Sequence, residues 1–235
     1  MRYVLPLLIA ILSSVTYADT VTVGRRGINS AGFKLPNGQI LDGDGVGVGM
    51  VESHRPGKPG YDGDTTLYNT AVRPHLVFHH SGNAPVNGLI DQHAQGVGGI
   101  IIGDGSVGDA SRGVAPGAKL YSGAAFPDLS VNDIIKTIHK IATFPVSAEN
   151  PDVKVLGMSY SYEQVAPNEI PMDGNFDLTQ YVDWSAKSHD ILYVIAGPST
   201  SQSFPASPSD QFNGLTVLQL SLQLNICSRR KPLLS

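Results

Sequence analysis

The chain has 235 residues and a mass of 24.9 kDa, which is enough for one large domain with a substantial core. Only 15% of the residues are charged, 26 are glycine and 16 are proline, a composition that argues against a coiled coil and against a chain kept disordered by its charge. The net charge of −4 argues against a nucleic-acid-binding protein. The single cysteine, Cys227, excludes a disulfide framework and a cysteine-rich zinc site.

An export signal is predicted at the N-terminus. Arg2 supplies a positive charge, and the apolar run over residues 4–12 is too short to be a stable membrane anchor. Thr16 and Ala18 place small residues where a signal peptidase reads the chain, so we expect cleavage after Ala18; a buried first strand or helix is the alternative interpretation. The prediction is a secreted or periplasmic, monomeric protein with no membrane contact after cleavage and with residues 19–42 as an N-terminal extension.

The first half of the chain predicts short strands around one helix. Residues 44–52 alternate glycine with valine or methionine, which is typical of a strand packed closely by neighbouring backbone. Pro116 and Gly117 have the residue types of the central positions of a type II turn. The predicted strands are 45–51, 75–80 and 118–122. Residues 93–103 are predicted to form a helix despite three internal glycines, with a strand as the alternative.

The second half contains the clearest helix, which begins at Ser130. Ser130 and Asp133 resemble a capping box, and isoleucines recur behind them at helical spacing. Further predicted elements are a strand over 153–158, a helix over 176–188 and strands over 191–196 and 215–220. Strands that alternate with helices predict an α/β fold with a mostly parallel central sheet, and the strands 45–51, 118–122, 153–158 and 191–196 are expected to be adjacent in it. The helix from Ser130 is expected to pack on this sheet through Ile134, Ile138 and Ile141.

Four segments in this order resemble the subtilisin-like serine peptidases, the subtilases of the peptidase S8/S53 fold. They are GVGVGMVES (45–53), HAQGVGGIIIG (93–103) followed by GVAPGAKLYSG (113–123), VKVLGMSYS (153–161), and DILYVIAGP (190–198) followed by FPAS (204–207). The resemblance covers about residues 43–220, and GVAPGAKLY is its most specific part. It implies a three-layer fold around a mostly parallel sheet, incomplete at the C-terminus, followed by an aberrant or flexible tail over 221–235.

The resemblance also implies where the catalytic groups stand. Subtilases use a serine nucleophile, a histidine base, an aspartate that orients the histidine, and an asparagine amide that helps to hold the oxyanion. Glu52 occupies the acid position, one methylene longer than aspartate, and Gly96 occupies the histidine position. His93, one helical turn earlier, is the candidate for a displaced histidine, and a rearranged dyad stays open if it approaches Glu52 within hydrogen-bond reach. Pro198 occupies the position of the oxyanion asparagine.

The nucleophile and the substrate edge differ from the family as well. No Gly-x-Ser-x-Ala motif follows Val217 in this sequence, and the tail instead carries three consecutive basic residues. Ser159 and Ser161 lie in the segment that resembles the substrate-pairing strand, Ser159 in a structural role and Ser161 where the family favours glycine. The partner that the resemblance implies is an extended peptide or protein.

Other constellations are weaker. The glycines of residues 43–49 do not match the spacing of a dinucleotide-binding loop. His75, His79 and His80 are interpreted as solvated or core histidines rather than metal ligands, because no HExxH motif or nearby cysteine accompanies them. Four aspartates lie in glycine-rich segments: Asp42, Asp44, Asp62 and Asp64. They are interpreted as turn residues rather than calcium ligands. No cofactor or metal is therefore assigned, and structural calcium stays open.

Two opposing expectations for function follow. The resemblance implies peptide-bond hydrolysis by a serine endopeptidase mechanism, whereas the substituted positions predict that this chain lacks that activity. The alternatives are a non-catalytic secreted module that binds peptides and the truncated product of a disrupted peptidase gene.

Overall fold

The structure, a computed structural model, describes residues 33–107, 111–125, 130–159, 173–197 and 207–217. The predicted export signal, Ser161, Pro198 and the tail over 221–235 lie outside these residues. The strands are β1 (Gly47–Glu52), β2 (Leu76–His79), β3 (Gly82–Asn83), β4 (Lys119–Ala124), β5 (Val153–Met158), β6 (Leu192–Ala196) and β7 (Gly214–Val217). The helices are α1 (Gln92–Ile102), α2 (Val131–Ala142) and α3 (Asp177–His189). No helix in this described part of the chain is long and apolar enough to cross a membrane.

The strands form one sheet in the order β3-β2-β4-β1-β5-β6-β7. Every pair of neighbours is parallel except β2 and β3, which form a short antiparallel hairpin at one edge. The four strands expected to be adjacent and parallel are β4, β1, β5 and β6, so this prediction is confirmed.

Helices cover both faces of the sheet, because successive residues of a strand point to opposite sides. Val51 and Tyr121 belong to the core beneath α2 and α3. Their neighbours Met50 and Leu120 belong to the core beneath α1. The α2 isoleucines predicted to face the sheet are all fully buried: Ile134, Ile138 and Ile141. The result is a three-layer α/β fold, as predicted.

The crossovers do not all have the same hand. The connection from β2 through α1 to β4 and the connection from β4 through α2 to β5 advance in the same direction across the sheet. Their helices lie on opposite faces, so the two connections have opposite hands. The general preference for right-handed crossovers therefore does not describe this whole sheet.

The turn before β4 differs from the expectation. Ala118 N–H donates to the carbonyl oxygen of Ala115 at 3.0 Å, which closes a turn around Pro116 and Gly117. Gly117 is not among the described glycines with positive φ, so the predicted type II conformation is wrong. A Cβ at Gly117 would lie 2.9 Å from Oδ1 of Asp42, so the glycine is needed for close packing rather than for its backbone angles.

Candidate active site

Glu52 is the last residue of β1 and lies at the carboxyl edge of the sheet, where open α/β sheets place their sites. Only 1% of its surface is exposed. Its Oε1 accepts a hydrogen bond of 2.8 Å from the backbone N–H of Ser159, the first residue after the neighbouring strand β5. A buried carboxylate needs such partners, and the adjacent parallel strand supplies one because both strands end at the same edge.

His93 is brought to this carboxylate by the start of α1. Asp91 caps that helix by accepting a hydrogen bond of 2.7 Å from Ala94 N–H, which places His93 in the first turn. The imidazole Nε2 lies 3.3 Å from Oε2 of Glu52, and 63% of the His93 side chain is exposed. The contact is an ion pair without full hydrogen-bond alignment, since within the described residues Oε2 has no hydrogen-bond partner.

The electrostatic setting of His93 favours its protonated form. Its contact with the Glu52 carboxylate raises the pKa of His93 above the ordinary 6.5, partial burial opposes this, and the charges of Glu52 and Asp91 reinforce it. Sequence reasoning predicted that Glu52 ends its strand and that His93 begins the helix, and the structure agrees with both. Because Glu52 and His93 lie this close together, the rearranged acid–histidine dyad remains a prediction.

A second imidazole–carboxylate pair lies beside the first and was not predicted. His54 Nδ1 lies 3.1 Å from Oδ2 of Asp91, the same side chain that caps α1. The available signal was the position of His54 two residues after the acid and that of Asp91 two residues before His93.

Asp62 is not the turn residue expected from its sequence. It forms an ion pair with Arg55, and neither side chain has any exposed surface. Burial acts to raise the pKa of Asp62, but hydrogen bonds from Arg55 and from the backbone N–H groups of Lys58 and Asn87 outweigh it and hold the pKa below its usual value. Asp42 and Asp64, in contrast, accept hydrogen bonds from N–H groups two residues ahead, as turn aspartates do.

The other predicted site residues are only partly placed. Gly96 lies in α1 one turn after His93 and has no side chain to contribute. Ser159 is engaged through its backbone by Glu52. Ser161 and Pro198 fall outside the described residues. In the described ranges no three histidine, cysteine, aspartate or glutamate side chains are grouped as metal ligands would be, and His75 instead contacts Asn150, with 2.8 Å between Nε2 and Oδ1.

An apolar cavity of about 510 Å³ lies between α1 and the sheet, and its lining includes neither Glu52 nor His93. Val97 and Ile101 of α1, one and two turns after His93, form one wall, and Val155 and Val194 of the sheet form the floor. Ser159 lies at its margin. The cavity volume is in the range of small ligand sites, and the lining suits an apolar group.

The fold of this chain is shared with known peptidase structures. The chain matches solved structures of fervidolysin from Fervidobacterium pennivorans, described as a keratinolytic enzyme related to subtilisin, and of a serine-to-alanine mutant of the protease domain of PatA. Each is 17% identical with a TM-score of 0.50, a likeness that shows the fold alone. Fervidolysin aligns with 82% of this chain and PatA with 75%, whereas the chain covers only 27% and 58% of those two structures.

No curated protein matches the chain. The model of the subtilase family, Peptidase_S8, matches residues 49–221, which is close to the range expected from the sequence motifs. This match extends over well more than half of the chain and contains all of β1 except its first two residues, the whole of β2 to β7, and both Glu52 and His93. The chain therefore belongs to the subtilase family.

Proposed function

We propose that this chain is an exported subtilase-fold domain that binds an extended peptide and does not hydrolyse it by the serine mechanism of the family. The observation that carries the proposal is the orientation of His93, whose Nε2 faces the buried Glu52 at 3.3 Å.

In a Ser-His-Asp triad the acid binds Nδ1 of the histidine, and Nε2 takes the proton from the serine hydroxyl. Here the acid faces Nε2, so the nitrogen that would serve the nucleophile is already engaged. No serine hydroxyl of the described residues hydrogen-bonds His93. The raised pKa also increases the protonated fraction of His93 near neutral pH, and a protonated imidazole cannot act as a base.

Two substitutions in the sequence support the same conclusion. Gly96 leaves the histidine position of the family without an imidazole, and Pro198 leaves the oxyanion position without either an amide side chain or a backbone N–H. Loss of one oxyanion donor alone costs about 2.7–4 kcal/mol of transition-state stabilisation. These losses are not additive, because removal of one triad member already eliminates most of the rate.

Peptide binding is supported by the way β5 leaves the sheet. Within Val153–Met158 the strand is paired with β1 on one side and β6 on the other, so its own edges are occupied. Because these edges are occupied, a peptide would have to pair with backbone outside Val153–Met158. The cavity beside Ser159 would then accept an apolar side chain of that peptide.

Export is supported by residues 1–18, whose charge, apolar run and small residues fit a signal peptide. Expression of the full chain with its own N-terminus in a bacterial host tests this part. The mature protein outside the cytoplasm is expected to begin at Asp19 by mass spectrometry. An uncleaved chain retained in the cytoplasm would contradict it.

The activity test uses the purified mature chain with a labelled casein and a serine-directed fluorophosphonate, beside Glu52→Ala and His93→Ala. We expect no cleavage and no labelled serine in any of the three proteins. Binding is measured with a library of fluorescent unfolded peptides, and apolar sequences are expected to bind without turnover. Labelling of one serine, or cleavage that Glu52→Ala abolishes, would show an active triad. A chain that binds none of the peptides would contradict the binding module.

A further inference from the structure

We propose that the buried Arg55–Asp62 ion pair is a positioning device that sets the distance between Glu52 and His93. The inference rests on the site described above, but not on whether that site binds or cleaves peptides.

The backbone of Arg55 directly joins the two segments that carry the site. Arg55 N–H donates to the carbonyl oxygen of Leu89 at 2.7 Å, and Asp91 N–H donates to the carbonyl oxygen of Arg55 at 3.2 Å. Arg55 lies three residues after Glu52, and Asp91 lies two residues before His93. This short parallel bridge therefore connects the exit of β1 to the entrance of α1.

The side chains of the pair hold the same loop from a second direction. The two terminal nitrogens of Arg55 each donate to one oxygen of Asp62 at 2.7 Å, and Nη2 also donates to the carbonyl oxygen of Pro85 at 2.8 Å. Oδ1 of Asp62 in turn accepts from Asn87 N–H at 2.7 Å. The loop that leads into α1 is thus held by the guanidinium, by the carboxylate and by the Arg55 backbone.

A neighbouring side chain of α1 contacts the same region. Gln95 is buried, and its Oε1 accepts from Gly57 N–H at 3.0 Å while its Nε2 donates to the carbonyl oxygen of Asn69 at 3.0 Å. The segment that contains Arg55 and Asp62 therefore touches α1 two residues after His93. A shift of this segment is transmitted to the start of the helix.

Burial gives the pair a role that a surface ion pair would not have. The planar guanidinium satisfies the carboxylate with two parallel hydrogen bonds and still reaches a carbonyl oxygen, which a lysine ammonium cannot reproduce. Buried charges need hydrogen bonds to offset their desolvation, and both terminal nitrogens of Arg55 have them, whereas its Nε has no hydrogen-bond partner among the described residues. These hydrogen bonds are formed by the two loops that flank Glu52 and His93.

The test measures the pKa of His93 by a proton–carbon NMR titration of the imidazole, with the signal assigned through His93→Gln. The main variant is Arg55→Met with Asp62→Leu, which removes both buried charges together and so avoids an unpaired one. Arg55→Lys is the second variant, since it keeps the positive charge but cannot form the two parallel hydrogen bonds to Asp62. The matched control is Arg73→Met with Asp104→Leu, which removes an exposed Arg–Asp pair, 3.3 Å between Nε and Oδ2, beyond the other end of α1.

We expect the pKa of His93 to fall toward 6.5 in the main variant, because the contact with Glu52 is the largest cause of its elevation. Adding Glu52→Gln to that variant is expected to lower the pKa of His93 no further. The control variant is expected to leave the pKa of His93 unchanged. Arg55→Lys is expected to lower it as well. An unchanged pKa in either Arg55 variant, folded by circular dichroism, would overturn the inference. Peptide binding is not part of this readout. A failure of the inference about Arg55 and Asp62 can therefore be distinguished from a failure of the proposed function.

Discussion

The backbone N–H of Ser159 donates a hydrogen bond of 2.8 Å to Oε1 of Glu52, joining residues that are 107 positions apart in the chain. The bond exists because β1 and β5 are parallel neighbours that end at the same edge of the sheet. One oxygen of a buried carboxylate is thereby satisfied, and the other is left facing His93. The orientation of the acid, and with it the choice of its histidine partner, follows from strand order.

Glu52→Gln is expected to lower the pKa of His93 toward its ordinary 6.5, because an amide keeps an acceptor for Ser159 N–H but removes the charge that stabilises the imidazolium. The measurement is the NMR titration of the His93 ring. A His93 pKa that stays elevated would identify another source, such as Asp91.

The same pair makes stability depend on pH in a defined direction. The folded-state pKa of His93 is raised, so its contribution is fully present below 6.5 and is lost as the pH rises through the raised value. Urea unfolding on both sides of this range is expected to show a smaller change in the free energy of unfolding for Glu52→Gln than for the unmodified protein. An equal change in the two proteins would contradict the assignment.

Asp62→Asn is expected to lower the free energy of unfolding by about 3–5 kcal/mol, because it leaves the buried Arg55 guanidinium without its counter-charge. Asp104→Asn is the matched control, since its partner Arg73 is largely exposed and such pairs contribute at most about 1 kcal/mol. Urea unfolding of the two variants at neutral pH measures the difference. Equal losses would mean that burial does not strengthen the Arg55–Asp62 pair.

Asp62 also predicts the acid limb of the stability curve. Its pKa is held below 3.8, so its contribution is present above that value and is lost as the pH falls through the lowered pKa. Thermal unfolding is measured at a series of decreasing pH values. The unfolding temperature is expected to fall less steeply with acid for Asp62→Asn than for the unmodified chain. If the unfolding temperatures of the two proteins fell equally with pH, the acid sensitivity would come from groups other than Asp62.

Gly123→Ala is expected to destabilise the fold by about 1–3 kcal/mol through overpacking. The new Cβ would lie 2.4 Å from Cγ2 of Thr137, a branched side chain of α2, so the helix must move away from the sheet. Gly157→Ala in β5 of the same sheet is the control, because no described residue apart from its two chain neighbours has an atom within 4 Å of the added Cβ. Urea unfolding compares them, and an equal effect would show that the loss comes from the backbone rather than from contact with α2.

Ser130→Ala is expected to cost about 1 kcal/mol, since Ser130 Oγ accepts the backbone N–H of Asp133 at 3.1 Å at the start of α2. Ser130→Gly is expected to cost only a few tenths of a kcal/mol, because glycine is tolerated at a helix N-cap. Thermal unfolding measures the loss of stability in each variant. A larger loss in Ser130→Gly than in Ser130→Ala would contradict a capping role.

The sequence alone was sufficient for the fold class and for the order of the elements except β3, the two-residue strand of the edge hairpin, which lies in a segment without a strand pattern. Isoleucine spacing, the Ser130 cap and the alternation around residues 44–52 are local patterns, and they predicted α2, β1 and the parallel sheet with offsets of a few residues. Glu52 at a strand end and His93 at a helix start follow from the same local reasoning combined with the family motifs.

Only the tertiary structure decided which groups meet. Asp62 stands among glycines and prolines and has the sequence pattern of a turn, yet it is buried because loops far along the chain bring Pro85 and Asn87 to it and to Arg55. The choice of Nε2 of His93 for Glu52, and the capture of Ser159 N–H, depend on strand order and on the face that α1 covers. These are long-range consequences of packing, and no window of local sequence contains the segments that produce them.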